Sequence, residues 1–280
     1  MPERILEDVV MWRDGGREPT VQELMDLSGK VVLITGGSGH LGSAMSRALA
    51  EAGASVVVTS RDEARARALA DSLPRREETP RHLGIALDQM DPDSIDRAFG
   101  RAIELAGRID VLVNNGHEAL PADWTTVTAE QFSRHLANAT GYFLLARLTR
   151  DDAVRREAPA SIIQVGSMYG LVGSYPDAYE GICPASPVAY HTLKGGIIHM
   201  TRHLAVYWAR ERVRVNCISP GPFPTEKAPR AMVERLCTKL PMGRMGSPHE
   251  LKGAVVFLAS DASSFMTGQN LVIDGGWTAW

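Results

Sequence analysis

The segment that most constrains this chain runs from Lys30 to Gly53. An apolar stretch, Lys30-Val31-Val32-Leu33-Ile34, leads into Thr35-Gly36-Gly37-Ser38-Gly39-His40-Leu41-Gly42. A helical pattern from Ser43 to Ala52 follows and stops at Gly53. Strand, tight turn and helix in that order build an anion site. Glycines let the backbone approach a pyrophosphate, and the helix N-terminus offers unpaired N–H groups. A second β-branched run, Ala54-Ser55-Val56-Val57-Val58-Thr59, comes next and ends in Ser60-Arg61. The adenosine ribose of a bound dinucleotide falls at that point, where a carboxylate often holds the 2′-hydroxyl. Ser60 removes the carboxylate, and Arg61 supplies a cation suited to a 2′-phosphate. The plainer alternative is a tight turn followed by a surface arginine.

Tyr190 and Lys194 lie one helical turn apart in Tyr190-His191-Thr192-Leu193-Lys194, so a helix presents both on one face. A phenol transfers protons usefully only if its pKa is lowered, and a neighbouring ammonium favours the phenolate. The spacing alone is common. Downstream of a dinucleotide turn it points to redox chemistry on a carbon–oxygen bond.

Short β-branched runs alternate with helical stretches from residue 30 onward. Strands are predicted at 31–35, 55–59, 83–87, 109–113, 161–166, 213–217 and 270–273. That alternation predicts an α/β chain: a three-layer, doubly wound Rossmann fold on a seven-stranded parallel sheet. With 280 residues, 44% of them hydrophobic, residues 29–280 can bury one core as a single domain. Residues 1–28 read as an arm carrying one short helical pattern, Val21 to Met25. It would pack on the body or a neighbouring subunit, or remain disordered. The net charge of −3 gives no reason to expect nucleic acid or an anionic membrane. No stretch reaches the length of a membrane span, and no apolar leader opens the chain. Cys183, Cys217 and Cys237 form no Cys-x-x-Cys pair, which suits a reducing, cytoplasmic setting. The eight histidines show no ligand spacing, so no metal is expected.

Further landmarks fall in order. Asp88 follows the third strand and Asn114-Asn115-Gly116 the fourth. Asn216-Cys217-Ile218-Ser219-Pro220-Gly221 follows a late strand, and Asp274-Gly275-Gly276 ends the last. With the glycine turn and the Tyr/Lys pair, these make the chain resemble the short-chain dehydrogenases and reductases, from about Leu27 to its end. The compact NAD(P)-dependent branch is the nearest. The resemblance implies hydride transfer between a nicotinamide and a secondary alcohol or ketone. Tyr190 would be the acid/base, and Lys194 would lower its pKa and hold the nicotinamide ribose. Ser167 would hydrogen-bond the reacting oxygen, and Asn138 would hold a relay water. The alternative for Asn138 is a helix-interior polar group holding its own backbone. The resemblance also implies a cofactor groove of Gly36, Ser38, Gly39, His40, Leu41, Ser60, Arg61, Asp88, Gln89, Asn115, Gly116, Tyr190, Lys194, Pro220, Gly221 and Phe223. Ser167, Tyr169 and Tyr190 would meet the substrate. NADP(H) is favoured by Ser60-Arg61. NAD(H) stays open, because Gly39 stands where the family carries an arginine.

Met168-Tyr169-Gly170 and the ending Trp277-Thr278-Ala279-Trp280 resemble sugar-processing members, including gluconate dehydrogenases and sugar-nucleotide or flagellin-glycan oxidoreductases. They imply a sugar, sugar acid or other polyhydroxylated substrate in a polar pocket, bordered by the 171–185 loop and the C-terminal tail. Two alternatives stand beside this. An apolar or aromatic ketone or aldehyde would suit a cavity lined by Met168, Tyr169, Phe223 and Trp124. A catalytically silent nucleotide-binding regulator or scaffold would not need the intact tetrad. Compact members form homotetramers through helices and the last strand. Leu251, Val255, Val256, Phe257 and Leu258 are candidates for that contact, and equally for the core.

Three features depart from the family pattern. His40 replaces a glycine, leaving the 36, 39, 42 spacing of the longer, sugar-nucleotide-modifying branch. His117-Glu118 follows Asn114-Asn115-Gly116, either altering the wall near the nicotinamide or serving as plain turn residues. Ser167 and Tyr190 are also 23 positions apart, more than is common in the family. The extra stretch from Leu171 to Pro184 mixes Gly, Pro and aromatics with Asp177 and Glu180. It reads as a loop for a hydroxylated substrate or as a surface excursion.

Overall fold

The computed structural model describes residues 17–119 and 122–280. The first part of the predicted arm lies outside the described residues. Seven strands form one parallel sheet: β1 (Val31–Ile34), β2 (Ser55–Ser60), β3 (Leu83–Ala86), β4 (Val111–Asn114), β5 (Ala160–Val165), β6 (Val213–Pro220) and β7 (Asn270–Ile273). Their order is β3-β2-β1-β4-β5-β6-β7. The chain winds outward from β1 to β3, then returns to start the second half at β4, beside β1. That reversal opens a crevice at the carboxyl ends of β1 and β4.

The central strands are continuous apolar runs because helices cover both faces. Val32 and Ile34 point to one side, with Met45, Val255 and Leu258. Val31 and Leu33 point to the other, with Ile95, Phe99 and Leu145. The helices are α1 (Val21–Met25), α2 (His40–Glu51), α3 (Glu63–Ser72), α4 (Pro92–Ala106), α5 (Ala129–Arg155), α6 (Pro176–Tyr179), α7 (Val188–Trp208), α8 (Arg230–Cys237) and α9 (Lys252–Ala259). Among the described residues no helix is long and apolar enough to cross a membrane.

The differences from the predicted elements have local causes. β4 begins at Val111 rather than at residue 109. The Asp110 carboxylate takes the Val31 N–H at 2.9 Å, and Asp152 takes the Ile109 N–H at 3.3 Å. Side chains thus replace ladder bonds at the strand's entry. Part of the 171–185 stretch is helical: Pro176 sits in the first turn of α6. The Arg235 guanidinium donates to the carbonyls of Asp177 (2.9 Å) and Glu180 (2.7 Å), and Lys239 pairs with Asp177 at 2.6 Å. The stretch is therefore fastened to α8. In α1 a reciprocal capping box links Thr20 and Glu23. Leu27 just after it is fully buried, and Asp26 pairs with Arg76 at 2.7 Å. The described end of the arm thus packs on the body. Leu251, Val255 and Leu258 are fully buried in the chain's own core, so they are not available to a neighbouring subunit.

Two helical glycines test this packing in opposite directions. A Cβ on Gly42 would press on the Gly36 carbonyl oxygen, whereas a Cβ on Gly100 would meet open space. Gly→Ala gains about 1 kcal/mol of helix propensity, while overpacking costs about 1–3 kcal/mol. We expect Gly100→Ala to stabilise by about 0.5–1 kcal/mol and Gly42→Ala to destabilise by about 1–2 kcal/mol, both read by urea unfolding. A neutral Gly42→Ala would show that the turn yields.

Candidate active site

The crevice is built by two turns in contact. Thr35 Oγ1, after β1, accepts the N–H groups of Asn115 and Gly116, after β4, each at 2.9 Å. The Asn115 amide donates back to the Thr35 and Gly36 carbonyls at 3.0 and 3.1 Å. Gly36 has φ +58, and a Cβ there would lie 2.8 Å from Gly116 Cα. The first turn enters α2 with Gly39 as N-cap and no side chain bonded to the cap, so the helix N–H groups remain for an anion. His40 is the first helical residue and is exposed.

A groove runs along these turns. Ser38, Ser60, Arg61, Asp88 and Gln89 border its outer end. His40, Leu41, Asn115, Lys194, Pro220, Gly221 and Phe223 border its inner end, and Gly36, Gly39 and Gly116 border both. Arg65, which sequence reasoning missed, also borders the outer end. Its signal was its place one turn beyond Arg61, at the start of α3. Glu118 stands there too, forked by Arg134 (2.6 and 2.9 Å) and 3.7 Å from Arg61.

Ser167, Tyr190 and Lys194 meet at the inner end. Ser167 follows β5 in extended backbone, and its hydroxyl accepts the Tyr169 N–H at 3.1 Å. Tyr190 and Lys194 share one face of α7. Lys194 is 2% exposed, and its ammonium donates to the Val165 carbonyl at 2.7 Å. Burial pulls it down to about 8, with neighbouring Cys217 acting the other way. Burial pushes the Tyr190 phenol up, and the Ser167 hydroxyl opposes this. The predicted lowering of Tyr190 by Lys194 is therefore not what this geometry gives. The ammonium lies 5.7 Å from the ring centroid and is engaged by a carbonyl, so desolvation of the phenol prevails.

Asn138 does not border the cavity. Its side-chain oxygen accepts from Gln89 Nε2 (2.8 Å) and the Glu118 N–H (2.7 Å). Its amide donates to the carbonyls of His135 (2.8 Å) and Glu118 (3.2 Å). The fully buried carboxamide is thus committed to protein groups and fastens the segment after β4 to α5.

A cavity of about 400 Å³ adjoins the groove. Its polar groups include His117, His135, Ser167 and Tyr190, while Met168, Phe223, Met232, Leu236 and Met245 line it with apolar surface. Apolar surface predominates, contrary to the polar pocket expected. The physical reason is that α8 turns its Met232 and Leu236 inward onto a cluster with Trp277. Tyr169 borders the cavity, its hydroxyl 2.6 Å from that of Tyr179. The 171–185 loop supplies Tyr179, but the tail stays behind the wall: Trp277 packs edge-on against Tyr169 and Tyr175. Trp124 is 70% exposed and does not border the cavity, and Trp280 is exposed. His117, His135 and Tyr190 form a ring cluster with centroids 5.7–6.4 Å apart. Sequence reasoning flagged His117 only as a departure and missed His135, which lies one turn before Asn138 in the same helical segment but carried no signal of its own.

Residues 38–278 match a family model described as Enoyl-(Acyl carrier protein) reductase. The L-fucose dehydrogenase of Bos taurus is 34% identical over 260 residues, covering 89% of each chain. The D-arabinitol 2-dehydrogenase (ribulose-forming) of Scheffersomyces stipitis is 33% identical over 275 residues, covering 91% of this chain and 95% of that one. Among solved structures, a gluconate 5-dehydrogenase from Burkholderia cenocepacia, in complex with NADP and tartrate, superposes with a TM-score of 0.80. It is 28% identical and covers 93% of this chain and 100% of that one.

The buried ammonium yields a stability test. Lys194 loses its proton at lower pH folded than unfolded, so its burial cost is fully present below about pH 8 and is relieved as pH rises toward 10.5. Desolvating the charge costs several kcal/mol, against about 1–3 kcal/mol for leaving the Val165 carbonyl without its donor. Lys194→Met should therefore melt at or above the wild-type temperature at pH 7 without cofactor. The gap should narrow between pH 8 and 10.5. A lower melting temperature at pH 7 would show that the hydrogen bond outweighs desolvation.

Proposed function

The chain belongs to the short-chain dehydrogenase/reductase family, and from that premise we propose that it interconverts a secondary alcohol and a ketone on a sugar or polyol. It is an NAD(P)-dependent oxidoreductase. The observation that carries the substrate side is the meeting of Ser167 and Tyr190 with both the groove and the cavity. A reacting carbon–oxygen bond there has a hydroxyl donor and a proton acceptor beside it. In oxidation, Tyr190 takes the alcohol proton while Ser167 hydrogen-bonds the oxygen. In reduction, the same phenol returns the proton. A developing alkoxide needs such groups already positioned. The nicotinamide, when bound, supplies or accepts the hydride. Lys194 keeps a cation beside the phenol and is the residue suited to the nicotinamide ribose. Asn138 braces the 117–118 segment against α5.

The sugar or polyol class draws on the names of the L-fucose and D-arabinitol dehydrogenases. The apolar part of the cavity favours a second reading, a ketone or aldehyde with an apolar body. A silent scaffold has no use for Ser167, Tyr190 and Lys194 at one junction. The test follows reduced-nicotinamide absorbance with L-fucose, D-arabinitol, D-gluconate and small apolar ketones. Tyr190→Phe should lower kcat by about 10²–10⁴-fold with little change in KM. Turnover surviving that substitution undiminished would sink the acid/base assignment.

For the cofactor we infer a preference for NADP(H). Arg61 and Arg65 both border the outer groove, and Ser60 offers no carboxylate to repel a 2′-phosphate. Arg61→Ala and Arg65→Ala should each weaken NADPH binding by about tenfold and leave NADH nearly unchanged. Measured dissociation constants decide this, and tighter NADH binding by the wild type would contradict it.

We also infer a homotetramer. Phe265 is fully exposed, and Trp280, Tyr207 and Val206 are largely so. Such apolar groups suit contacts between copies better than water. Light scattering that gives the mass of a single chain at micromolar concentration would contradict this.

A further inference from the structure

His117 is the residue that borders every part of the site. It lines the outer groove, the inner groove and the substrate cavity. It opens toward the cavity, and among the described residues its ring makes no hydrogen bond. Its ring centroid lies 5.7 Å from that of Tyr190, and the two rings line the same groove and cavity as Ser167. His135 lies edge-on behind it, with centroids 6.4 Å apart, and 6.2 Å from Tyr190. His135 is 3% exposed and borders the same cavity, and among the described residues neither ring nitrogen makes a hydrogen bond of good geometry, although Glu118 lies close enough to favour its charged form. An unpaired buried imidazole is costly, and an aromatic hydrocarbon of similar shape would fill the space more cheaply.

We propose that His117 hydrogen-bonds a second hydroxyl of the substrate, on a carbon close to the reacting one, and that His135 behind it is a positioning residue for this contact. The proposal rests on the sugar or polyol reading above and narrows it to substrates with neighbouring hydroxyls. Both rings sit below the ordinary imidazole range, His117 through desolvation, the Lys194 cation and His135, and His135 through desolvation and Lys194. A neutral imidazole carries one donor and one acceptor nitrogen, which matches a hydroxyl. Ser167 and Tyr190 are then free to hold the reacting oxygen alone. The apolar surface at Met232, Leu236 and Met245 takes the less hydroxylated part of the molecule.

The test compares cyclohexanol with cis-cyclohexane-1,2-diol, which differ by one hydroxyl, and adds D-arabinitol. Wild type should favour the diol over cyclohexanol by about tenfold or more in kcat/KM. His117→Leu and His135→Phe should each lower kcat/KM by about tenfold on the diol and on D-arabinitol, mostly through KM. Any loss on cyclohexanol, which lacks the second hydroxyl, should be at least about threefold smaller than the loss on the diol. His117→Asn, which keeps a donor and an acceptor, should recover part of the loss. His135→Phe should not lower the melting temperature of the cofactor-free protein, whereas a purely structural His135 requires that it does. Equal losses on cyclohexanol and the diol, or no loss on either, would overturn the inference and leave the dehydrogenase reading intact. A wild type that oxidises cyclohexanol but none of the hydroxyl-rich compounds would overturn the polyol reading, and this inference with it.

Discussion

The close contact between the turns after β1 and β4 is the constraint on which the rest depends. Thr35 Oγ1 holds two consecutive N–H groups of the second turn, and the Asn115 amide returns two bonds to the first. The backbones approach until a single Cβ at Gly36 would collide with Gly116. This contact closes the sheet at its point of reversal and leaves the helix N-terminus of α2 facing the crevice. It also sets the level at which the β4 continuation, His117 and Glu118, meets α5. The Asn138 carboxamide then fixes that segment with two hydrogen bonds to Glu118 and ties it to Gln89, after β3, with a third. A framework of backbone contacts thus determines where the polar side chains of the site stand.

Within that framework, desolvation governs the titrating groups. Lys194 is buried deeply enough that its ammonium is weakened, and its strongest contact is with a backbone carbonyl. Burial likewise pushes the Tyr190 phenol up, with the Ser167 hydroxyl acting the other way. Proximity of a lysine on the helical face is therefore not by itself what sets the phenol's pKa. The balance depends on which polar groups share the low-dielectric space. His117 and His135 belong to the same balance, since the cation beside them disfavours a second positive charge.

The cavity is amphipathic rather than polar. Imidazoles, a serine and a tyrosine gather by the groove, while α8 contributes methionine and leucine side chains opposite a core that includes Trp277. The 171–185 stretch brings α8 to that place through bonds from Arg235 and Lys239. Of its two acidic side chains, which suggested contacts to substrate hydroxyls, Asp177 is spent on this docking by binding Lys239, while Glu180 contributes only its backbone carbonyl, which accepts from Arg235.

The sequence by itself determined the layers, the strand sequence and the groove. Those features are written in local patterns: β-branched runs buried on both faces, glycines where backbones touch, and a helix start without a side-chain cap. All seven strands were legible within a few residues, and β4 alone began late because Asp110 and Asp152 took over its first bonds. The groove residues were legible because each follows a strand end at a fixed place in the winding. Only the tertiary structure decided what lies across from them. His135 comes from a helix distant in sequence, and the apolar wall from α8. Trp124 is aromatic and near in sequence to the fourth strand, yet it faces solvent. Leu251, Val255 and Leu258 fit a core or an interface equally until the packing placed them in the core. A local pattern specifies which way one element turns its side chains. The company those side chains keep depends on how distant elements dock, and so does every burial-driven pKa in the site.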